Sequence, residues 1–311
     1  MDYKEYDITS LRVAILGAGF IGLNLAKEFL VSGYHVDILD RGEMPLGLSS
    51  ENLTWLQGCV SNTSNTASVI QNADVVFYLV SSTVPGDDVN VSKELFCNVS
   101  QLLQVLELCD NHKVGKFIFV SSSAVYGTQQ VLPTSEQALP MPISAHGIQK
   151  LTMEYYISLF AYQSNTSCKI LRLSNPYGPG QNIYGRQGFM SIVIGNITDK
   201  KAVSIRGTGE DIRDYIYISD VVTACQLAVT TASKEIIFNI GSGLGTSLLQ
   251  VMSQFKDILQ IPIAVSHQEC RKSDIPVSIL EIGKAKAILG FEPKITLCEG
   301  VKMFLNHHGV N

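Results

Sequence analysis

The strongest constraint on the fold is a glycine-rich run at residues 17–22, which reads Gly-Ala-Gly-Phe-Ile-Gly. It directly follows an apolar, strand-like segment at residues 11–16 and opens a helical pattern at residues 21–31. Glycines in this spacing allow a tight turn, a close approach of the backbone to a pyrophosphate, and close helix–strand packing. Ordinary strand–helix turns can share the pattern, but its context near the start of the chain favours a dinucleotide site at the helix N-terminus.

An acidic residue, Asp40, follows the next strand-like segment, residues 35–39, and lies 18 positions after Gly22. Its carboxylate can accept hydrogen bonds from ribose hydroxyls and would repel a 2′-phosphate, which favours NAD over NADP. Arg41 beside it weakens this preference, because a 2′-phosphate would attract a guanidinium; the alternative is that Arg41 is a solvated loop residue. We predict NAD as the cofactor.

Strand-like segments alternate with helical patterns through the first half of the chain. Further apolar segments lie at residues 74–80, 116–120 and 169–173, and further helical patterns at residues 93–111 and 146–162. This succession predicts an α/β fold, a Rossmann-type doubly wound parallel sheet with helices on both faces.

The pattern loosens after Asn175, where prolines and glycines become frequent. We predict that residues 1–175 form the dinucleotide-binding domain and that residues 176–311 form mainly a smaller C-terminal substrate lobe. Elements near residues 219–241 are expected to return to the first domain. The ligands would lie in the cleft between the two parts.

Composition narrows the class of protein. A hydrophobic content of 46% and a net charge of −5 give no reason to expect nucleic acid or an anionic membrane as a partner. The seven cysteines include no Cys-x-x-Cys pair and the histidines lack metal-ligand spacing, so we expect reduced thiols and no metal site. No signal peptide and no apolar run of the ~20 residues that span a membrane is evident. We therefore predict a cytoplasmic protein.

Two helical patterns carry more apolar residues than one sheet-facing stripe requires. Residues 93–111 show this excess, and in residues 146–162 one stripe consists of Ile148, Leu151, Tyr155, Leu159 and Tyr162. Either these helices are deeply buried or a second face packs on a partner subunit. We predict a homodimer.

Several longer motifs occur in a fixed order along the chain. They are residues 121–127 (SSSAVYG), 172–181 (RLSNPYGPGQ), 213–221 (RDYIYISDV), 238–243 (FNIGSG), 271–276 (RKSDIP) and 289–293 (LGFEP). With the glycine-rich run, they resemble the extended short-chain dehydrogenase/reductases, and within these the UDP-glucose 4-epimerase branch of the NAD-dependent epimerase/dehydratase family. The similarity extends from about residue 11 to about residue 304. This scaffold hosts epimerases, dehydratases, reductases and decarboxylases, so the resemblance indicates the family more strongly than the reaction.

The resemblance implies roles for individual residues. Ser122 would supply the catalytic hydroxyl, with Ser123 as the alternative because relatives often have one more residue in this loop. Lys150 matches the lysine that binds the nicotinamide ribose and tunes the acid–base residue. The residues implied at the cofactor site are Gly17, Gly19, Phe20, Ile21, Gly22, Asp40, Arg41, Leu79 and Lys150.

At the substrate, Arg213 and Arg271 match arginines that hold the nucleotide diphosphate, and Asn175 matches a sugar or phosphate contact. Paired guanidiniums suit phosphate oxygens. The alternative is that these arginines form surface ion pairs with nearby aspartates at positions 211, 214 or 274.

The chain departs from the family pattern at two positions. Cys59 stands where relatives usually have an aspartate that binds adenine. His146 stands where relatives have the tyrosine of a Tyr-x-x-x-Lys signature that ends here at Lys150. Tyrosine has an unperturbed pKa of about 10 and histidine of about 6.5, and nearby cations would lower the histidine value further. Neutral imidazole can still act as a general base.

Three interpretations follow for this site. His146 replaces the tyrosine in an active enzyme, or the site has moved to another chemistry in which Lys150 carries protons, or the chain binds its ligands without turnover. We predict an NAD-dependent nucleotide-sugar 4-epimerase acting on a UDP-hexose. The alternatives are a nucleotide-sugar dehydratase or 4-keto reductase, and a catalytically retired protein that binds NAD and a nucleotide-sugar.

Overall fold

The structure is a computed structural model, and it describes residues 11–81, 91–185, 187–270 and 274–310. Its strands, numbered in chain order, are β1 Arg12–Leu16, β2 His35–Asp40, β3 Leu53–Gln57, β4 Val75–Tyr78, β5 Lys116–Ser122, β6 Ser167–Leu173, β7 Asn175–Tyr177, β8 Val203–Arg206, β9 Ile212–Tyr217, β10 Ile237–Ile240, β11 Gly245–Ser247, β12 Val265–Gln268 and β13 Val277–Ser278. Its helices are α1 Phe20–Val31, α2 Thr63–Ile70, α3 Val91–Asn111, α4 Ala145–Gln163, α5 Phe189–Thr198, α6 Ile218–Thr230, α7 Leu248–Leu259, α8 Gly283–Leu289 and α9 Leu297–His307.

Seven parallel strands form the main sheet in the order β10-β6-β5-β4-β1-β2-β3. Alternate residues of β1 enter different cores: Val13 and Ile15 join one cluster, and Ala14 and Leu16 join the other. A strand that is buried on both faces needs such a continuous apolar run. Helices α1 and α6 contribute to the first core and α2, α3 and α4 to the second, so the sheet is covered on both sides.

Two smaller sheets accompany the main one: a four-stranded sheet in which β9 pairs with β7, β11 and β13, and a parallel pair, β8 and β12. Buried Asp214 on β9 joins three segments of the chain. Its Oδ1 accepts hydrogen bonds from the Ser242 backbone N–H at 2.8 Å and hydroxyl at 2.7 Å, and its Oδ2 accepts the N–H groups of Gly243 and Leu280. Burial raises the pKa of this carboxyl, and these donors act against that rise.

The predicted α/β fold with a doubly wound parallel sheet is confirmed. The predicted strands and helices lie within a few residues of the observed ones. In the first half of the chain two elements went unrecognised, the strand β3 and the helix α2. Strand β3 is a half-exposed edge strand, and α2 is a short polar helix capped by Asn62, so neither has a strong apolar period.

The described helices include none that is both long and apolar enough to cross a membrane.

The turn between β1 and α1 depends on a close approach of Gly22 to the carbonyl oxygen of Gly17. A Cβ added at Gly22 would overlap the carbonyl oxygen of Gly17 and lie 3.2 Å from Cδ1 of Leu79. We expect Gly22→Ala to lower the free energy of unfolding by about 1–3 kcal/mol, because the helix must move away from the turn. Urea denaturation measures the change.

Gly19→Ala is the matched control within the same turn, because a Cβ at Gly19 would meet no atom within 4 Å. It should change the free energy of unfolding by less than about 0.5 kcal/mol. An equal loss in the two variants would contradict the role assigned to the Gly22 contact.

Candidate active site

A cleft of about 690 Å³ lies at the carboxyl ends of the central strands and extends to strands β8 and β9. Open parallel sheets bind their ligands at this edge. The glycine-rich turn, the segment after β5, the start of α4, the segment after β6 and parts of β8 and β9 all line it. The cleft therefore brings together most residues that the sequence singled out.

The glycine-rich turn has the shape that a dinucleotide requires. Gly17 has φ +98°, and a Cβ there would lie 3.1 Å from the backbone nitrogen of Val80. Gly19 faces open space and is the N-cap of α1, with no side chain capping the helix. The first N–H groups of α1 are thus left for an anion. Gly17, Gly19, Phe20, Ile21, Gly22 and Leu79 all line the cleft.

Asp40 is tied to the same turn. Its Oδ2 accepts a hydrogen bond from the Ala18 N–H at 2.7 Å, and its Oδ1 accepts one from the Gly42 N–H at 2.7 Å. The carboxylate therefore stands beside the turn with its orientation fixed. Arg41 is exposed, and neither it nor Asp40 is among the cleft-lining residues of the described chain.

The start of α4 is held against the turn that follows β5. Ser144 caps the helix by accepting a hydrogen bond from the Gly147 N–H at 3.1 Å. A Cβ at Gly147 would overlap the carbonyl oxygen of Ala124, so only glycine permits this approach. The contact places His146 and Lys150, one helical turn apart, in the wall of the cleft.

Lys150 is almost fully buried, at 7% exposure. Its Nζ donates a hydrogen bond to the Val120 carbonyl at 2.8 Å and lies 4.6 Å from the centre of the Phe119 ring. Burial lowers the pKa of Lys150 to about 8, while the carboxylate of Glu154 acts to raise it.

His146 is partly buried beside this cation. Burial, and then the charge of Lys150, lower the pKa of His146 to about 4. The imidazole is consequently neutral at physiological pH and keeps one nitrogen able to accept a proton.

Ser122 and Ser123 both line the cleft at the end of β5. Ser122 is the N-cap of the 3-10 turn Ser123–Val125, where its Oγ accepts a hydrogen bond from the Ala124 N–H at 3.2 Å. Both hydroxyls stay candidates for the catalytic one.

At the far part of the cleft, Arg213 is only weakly paired. Its Nη2 lies 3.7 Å from Oδ2 of Asp211, and its Nη1 donates to the Ile212 carbonyl at 2.9 Å. Asn175 also lines the cleft, with its Nδ2 donating to the Asp214 carbonyl at 2.9 Å. Arg271 lies outside the described residues.

The structure adds polar groups that no sequence signal had marked. Four cleft-lining side chains have a buried oxygen without a hydrogen-bond partner among the described residues: Ser174 Oγ, Gln181 Oε1, Ser204 Oγ and Tyr215 OH. Buried polar atoms are rarely left unpaired, so these oxygens fit contacts to a ligand. Ser174 and Gln181 belong to the motif at residues 172–181, and Tyr215 belongs to the motif at residues 213–221. The motifs themselves do not indicate which side chains face the cleft.

Cys59 follows β3, close to the end of β2. Its thiol accepts a hydrogen bond from the Ser61 hydroxyl at 3.1 Å, which lowers the pKa of Cys59, with Arg41 contributing in the same direction. No cluster of side chains suited to a metal ion is found within the described ranges.

Three comparisons place this geometry among known proteins. The model of the NAD dependent epimerase/dehydratase family matches residues 13–241. The chain is 30% identical to dTDP-4-dehydro-6-deoxyglucose reductase of Escherichia coli over 295 residues, 92% of this chain and 93% of that protein. It is 31% identical to the Thermotoga maritima UDP-glucose 4-epimerase solved with UDP-glucose, with a TM-score of 0.91 over 96% of this chain and 99% of that one.

A further solved structure carries a dinucleotide. The UDP-glucuronic acid 4-epimerase of Bacillus cereus, in complex with UDP-glucuronic acid and NAD, is 26% identical and has a TM-score of 0.88 over 96% of this chain and 98% of that chain. The glycine-rich turn, the cleft and these similarities agree, and the chain belongs to the NAD-dependent epimerase/dehydratase family.

Proposed function

We propose that this chain is a nucleotide-sugar 4-epimerase that uses bound NAD for transient oxidation at C4 of a UDP-hexose. The observation that carries the proposal is the position of His146 and Lys150 in the same cleft as the glycine-rich turn and Arg213. One cleft thus offers a dinucleotide cradle, an acid–base pair and a guanidinium for a diphosphate. The Thermotoga and Bacillus relatives, which carry UDP-sugars, support this substrate class.

His146 is the proposed acid–base residue. Because its pKa is lowered to about 4, the imidazole is present in the form that can accept the proton of the sugar 4-hydroxyl. When bound, NAD supplies the reversible acceptance of hydride from C4. His146 then returns the proton to the sugar oxygen, so the residue ends each cycle as it began.

Lys150 and a serine hydroxyl complete the proposed site. Lys150 would hold the nicotinamide ribose and place a positive charge next to the developing alkoxide, where a fixed charge in a buried site acts strongly. Ser122, or Ser123, would donate a hydrogen bond to the same sugar oxygen. Asn175 would contact the sugar or a phosphate, and Arg213 with Arg271 would hold the diphosphate.

Asp40 supports NAD rather than NADP. Its carboxylate is fixed by the N–H groups of Ala18 and Gly42 at the edge of the turn, where the adenosine ribose would lie. Arg41 is exposed, which favours its interpretation as a solvated loop residue.

A 4-keto reductase is the second candidate, favoured by the 30% identity to the Escherichia coli reductase over 92% of this chain. The two reactions use the same proton chemistry and differ in cofactor turnover. A reductase consumes reduced cofactor in proportion to product, whereas an epimerase needs no added reductant.

Purified protein incubated with UDP-glucose, UDP-galactose and their N-acetyl forms tests the proposal. We expect proton NMR to show interconversion at C4 of at least one pair without added reduced cofactor, and mass spectrometry to find NAD retained in the protein. Conversion of a 4-keto sugar with matching loss of added NADH or NADPH would instead support the reductase. Binding of NAD and UDP-sugar without turnover of any substrate would support the retired scaffold.

Two substitutions at His146 separate an adapted site from a retired one. We expect His146→Ala to lower kcat about 10²–10⁴-fold, the usual contribution of an acid–base group. We expect His146→Tyr to give little gain or a loss, because the cleft is adapted to the shorter imidazole. Steady-state kinetics and NAD content measure both variants. A large rise in turnover with His146→Tyr would show that the histidine had retired the site.

We also propose that the chain forms a homodimer through α3 and α4. The two helices pack on each other, and each presents an exposed apolar face to solvent. These faces consist of Val91, Leu95, Phe96 and Leu103 on α3 and Ile148, Tyr155, Tyr156, Leu159 and Tyr162 on α4. The opposite side of α4, with Met153 and Ile157, is buried in the core, so the exposed stripe is an additional apolar face that the core of the subunit does not cover. A second copy can cover it by twofold symmetry.

Light scattering after gel filtration tests this interface. The wild-type chain should elute with twice its mass of 33.9 kDa, and Leu159→Glu should elute as the monomer, because a carboxylate would be buried at the centre of the contact. The matched control is Met303→Glu on α9, since Met303 is 45% exposed and Leu159 48%. A monomeric wild type, or a dimeric Leu159→Glu variant, would contradict the proposed interface.

A further inference from the structure

Helix α4 carries a third ionisable residue in line with the two that face the cleft. His146, Lys150 and Glu154 follow one another at intervals of four residues, which places them on one face of the helix. Glu154 is 2% exposed and is not among the described residues that line the cleft. It therefore cannot touch a ligand there, and any effect on the reaction must pass through its neighbours.

The contacts of Glu154 join α4 to two strands of the main sheet. The Ser121 hydroxyl on β5 donates a hydrogen bond to its Oε1. Arg172 on β6 donates from Nη2 to Oε2 at 2.6 Å and from Nε to both oxygens at 3.1 Å. The preceding residue of β5, Val120, accepts the hydrogen bond from Lys150. Two adjacent residues of β5 thus hold two adjacent turns of α4, and the next residue of the strand is Ser122.

Glu154 is the acidic group whose charge acts on Lys150. Other titratable groups lie in the same part of the core. His146 interacts with Lys150, Arg172 on β6 binds Glu154, and the Arg172 guanidinium lies over the Tyr126 ring. Tyr78 on β4 packs near the Phe119 ring that Lys150 contacts, and the charge of Glu136 acts on Tyr126. Burial raises the pKa of both tyrosines, that of Tyr126 to about 12, so they are neutral, and His146 is neutral as well. Arg172 stacks on the Tyr126 ring at 4.7 Å and stays charged. Arg172 is therefore paired directly with the buried carboxylate of Glu154, and the charge of that carboxylate also acts on Lys150 one helical turn away.

We propose that Glu154 is a positioning residue that keeps Lys150 in its ammonium form and directed at the end of β5, and thereby sets the upper pH limit of the site. The inference rests on the proposed epimerase function for its catalytic consequence. Its physical content, the control of one buried amine by one buried carboxylate, does not depend on turnover. Without that carboxylate, burial is left to favour the neutral amine, so the ammonium would be lost at lower pH.

The test compares two variants that differ only in the charge at position 154. Glu154→Gln alone would leave the Arg172 charge buried without a partner and endanger folding. We therefore use Arg172→Met as the background, in which the Glu154 carboxylate keeps the Ser121 hydroxyl and the charge of Lys150 as partners. It is compared with the double variant Glu154→Gln/Arg172→Met. Circular dichroism and thermal melting confirm that each is folded.

The primary readout is the titration of Lys150 itself. NMR of protein labelled with ¹³C at the lysine ε-carbon follows each amine, and Lys150→Arg identifies the signal. In the wild type the midpoint should lie near pH 8. In the double variant it should lie at least about one pH unit below that of Arg172→Met, the size of shift that one nearby opposite charge produces. Equal midpoints in these two variants would overturn the proposal.

The pH dependence of kcat provides a second readout. Because the site needs the ammonium, activity falls as pH rises through the pKa of Lys150. This alkaline fall in kcat should occur at lower pH in the double variant, by the same shift as the Lys150 midpoint. Glu154→Asp keeps the negative charge, so its kcat should fall at nearly the same pH as that of the wild type. A purely structural role would lower kcat equally at every pH.

The two readouts distinguish failure of this inference from failure of the proposed function. A wild-type chain without turnover, but with separate Lys150 midpoints in the two variants, would refute the epimerase proposal and leave the role of Glu154 intact. Turnover with coincident midpoints would refute the role of Glu154 alone. If the double variant does not fold, the Lys150 midpoint in Glu154→Asp decides: a value far from that of the wild type would contradict charge control.

Discussion

The contact between α4 and the end of β5 is the constraint on which the cleft depends. Gly147 lets the first turn of the helix approach the Ala124 carbonyl, and Lys150 binds the Val120 carbonyl one turn further on. Because strand and helix are held at successive turns, the side chain of His146 has little freedom to leave the cleft wall. The same strand end carries Ser122, so a single packing contact fixes the distances among the proposed catalytic groups.

Histidine in place of tyrosine changes the electrostatics of such a site. A tyrosinate would be an anion next to Lys150 and would itself stabilise the ammonium. Neutral His146 provides no such charge, and its pKa is lowered partly because Lys150 is a cation. The carboxylate of Glu154 is then the group in the described part of the chain whose charge stabilises the buried ammonium and raises the pKa of Lys150. The substitution and the buried ion pair are therefore best understood together.

Much of the fold could be predicted because its signals are local. The glycine spacing at residues 17–22 reflects the steric needs of a tight turn, and the apolar runs reflect burial of the strands. The structure has close contacts at Gly17 and Gly22, and it has strands at the predicted positions. Edge strand β3 lacked a signal because none of its residues is fully buried. Glu154 was missed for a different reason. In the sequence it is one more charged residue on an amphipathic helix, and only the approach of Arg172 from β6 and Ser121 from β5 makes it a buried partner.

A weakly basic acid–base residue suits a reaction in which the proton must come back. In the proposed cycle the same group removes a proton from the sugar oxygen and later returns it, so a lowered pKa slows the first step and speeds the second. Lys150 beside the imidazole disfavours the imidazolium that stores the proton between the two steps. In the proposed cycle the oxidised sugar is then short-lived, and a short lifetime limits its escape from the cleft. Under that proposal, His146 would lower the rate of oxidation and improve retention of the intermediate.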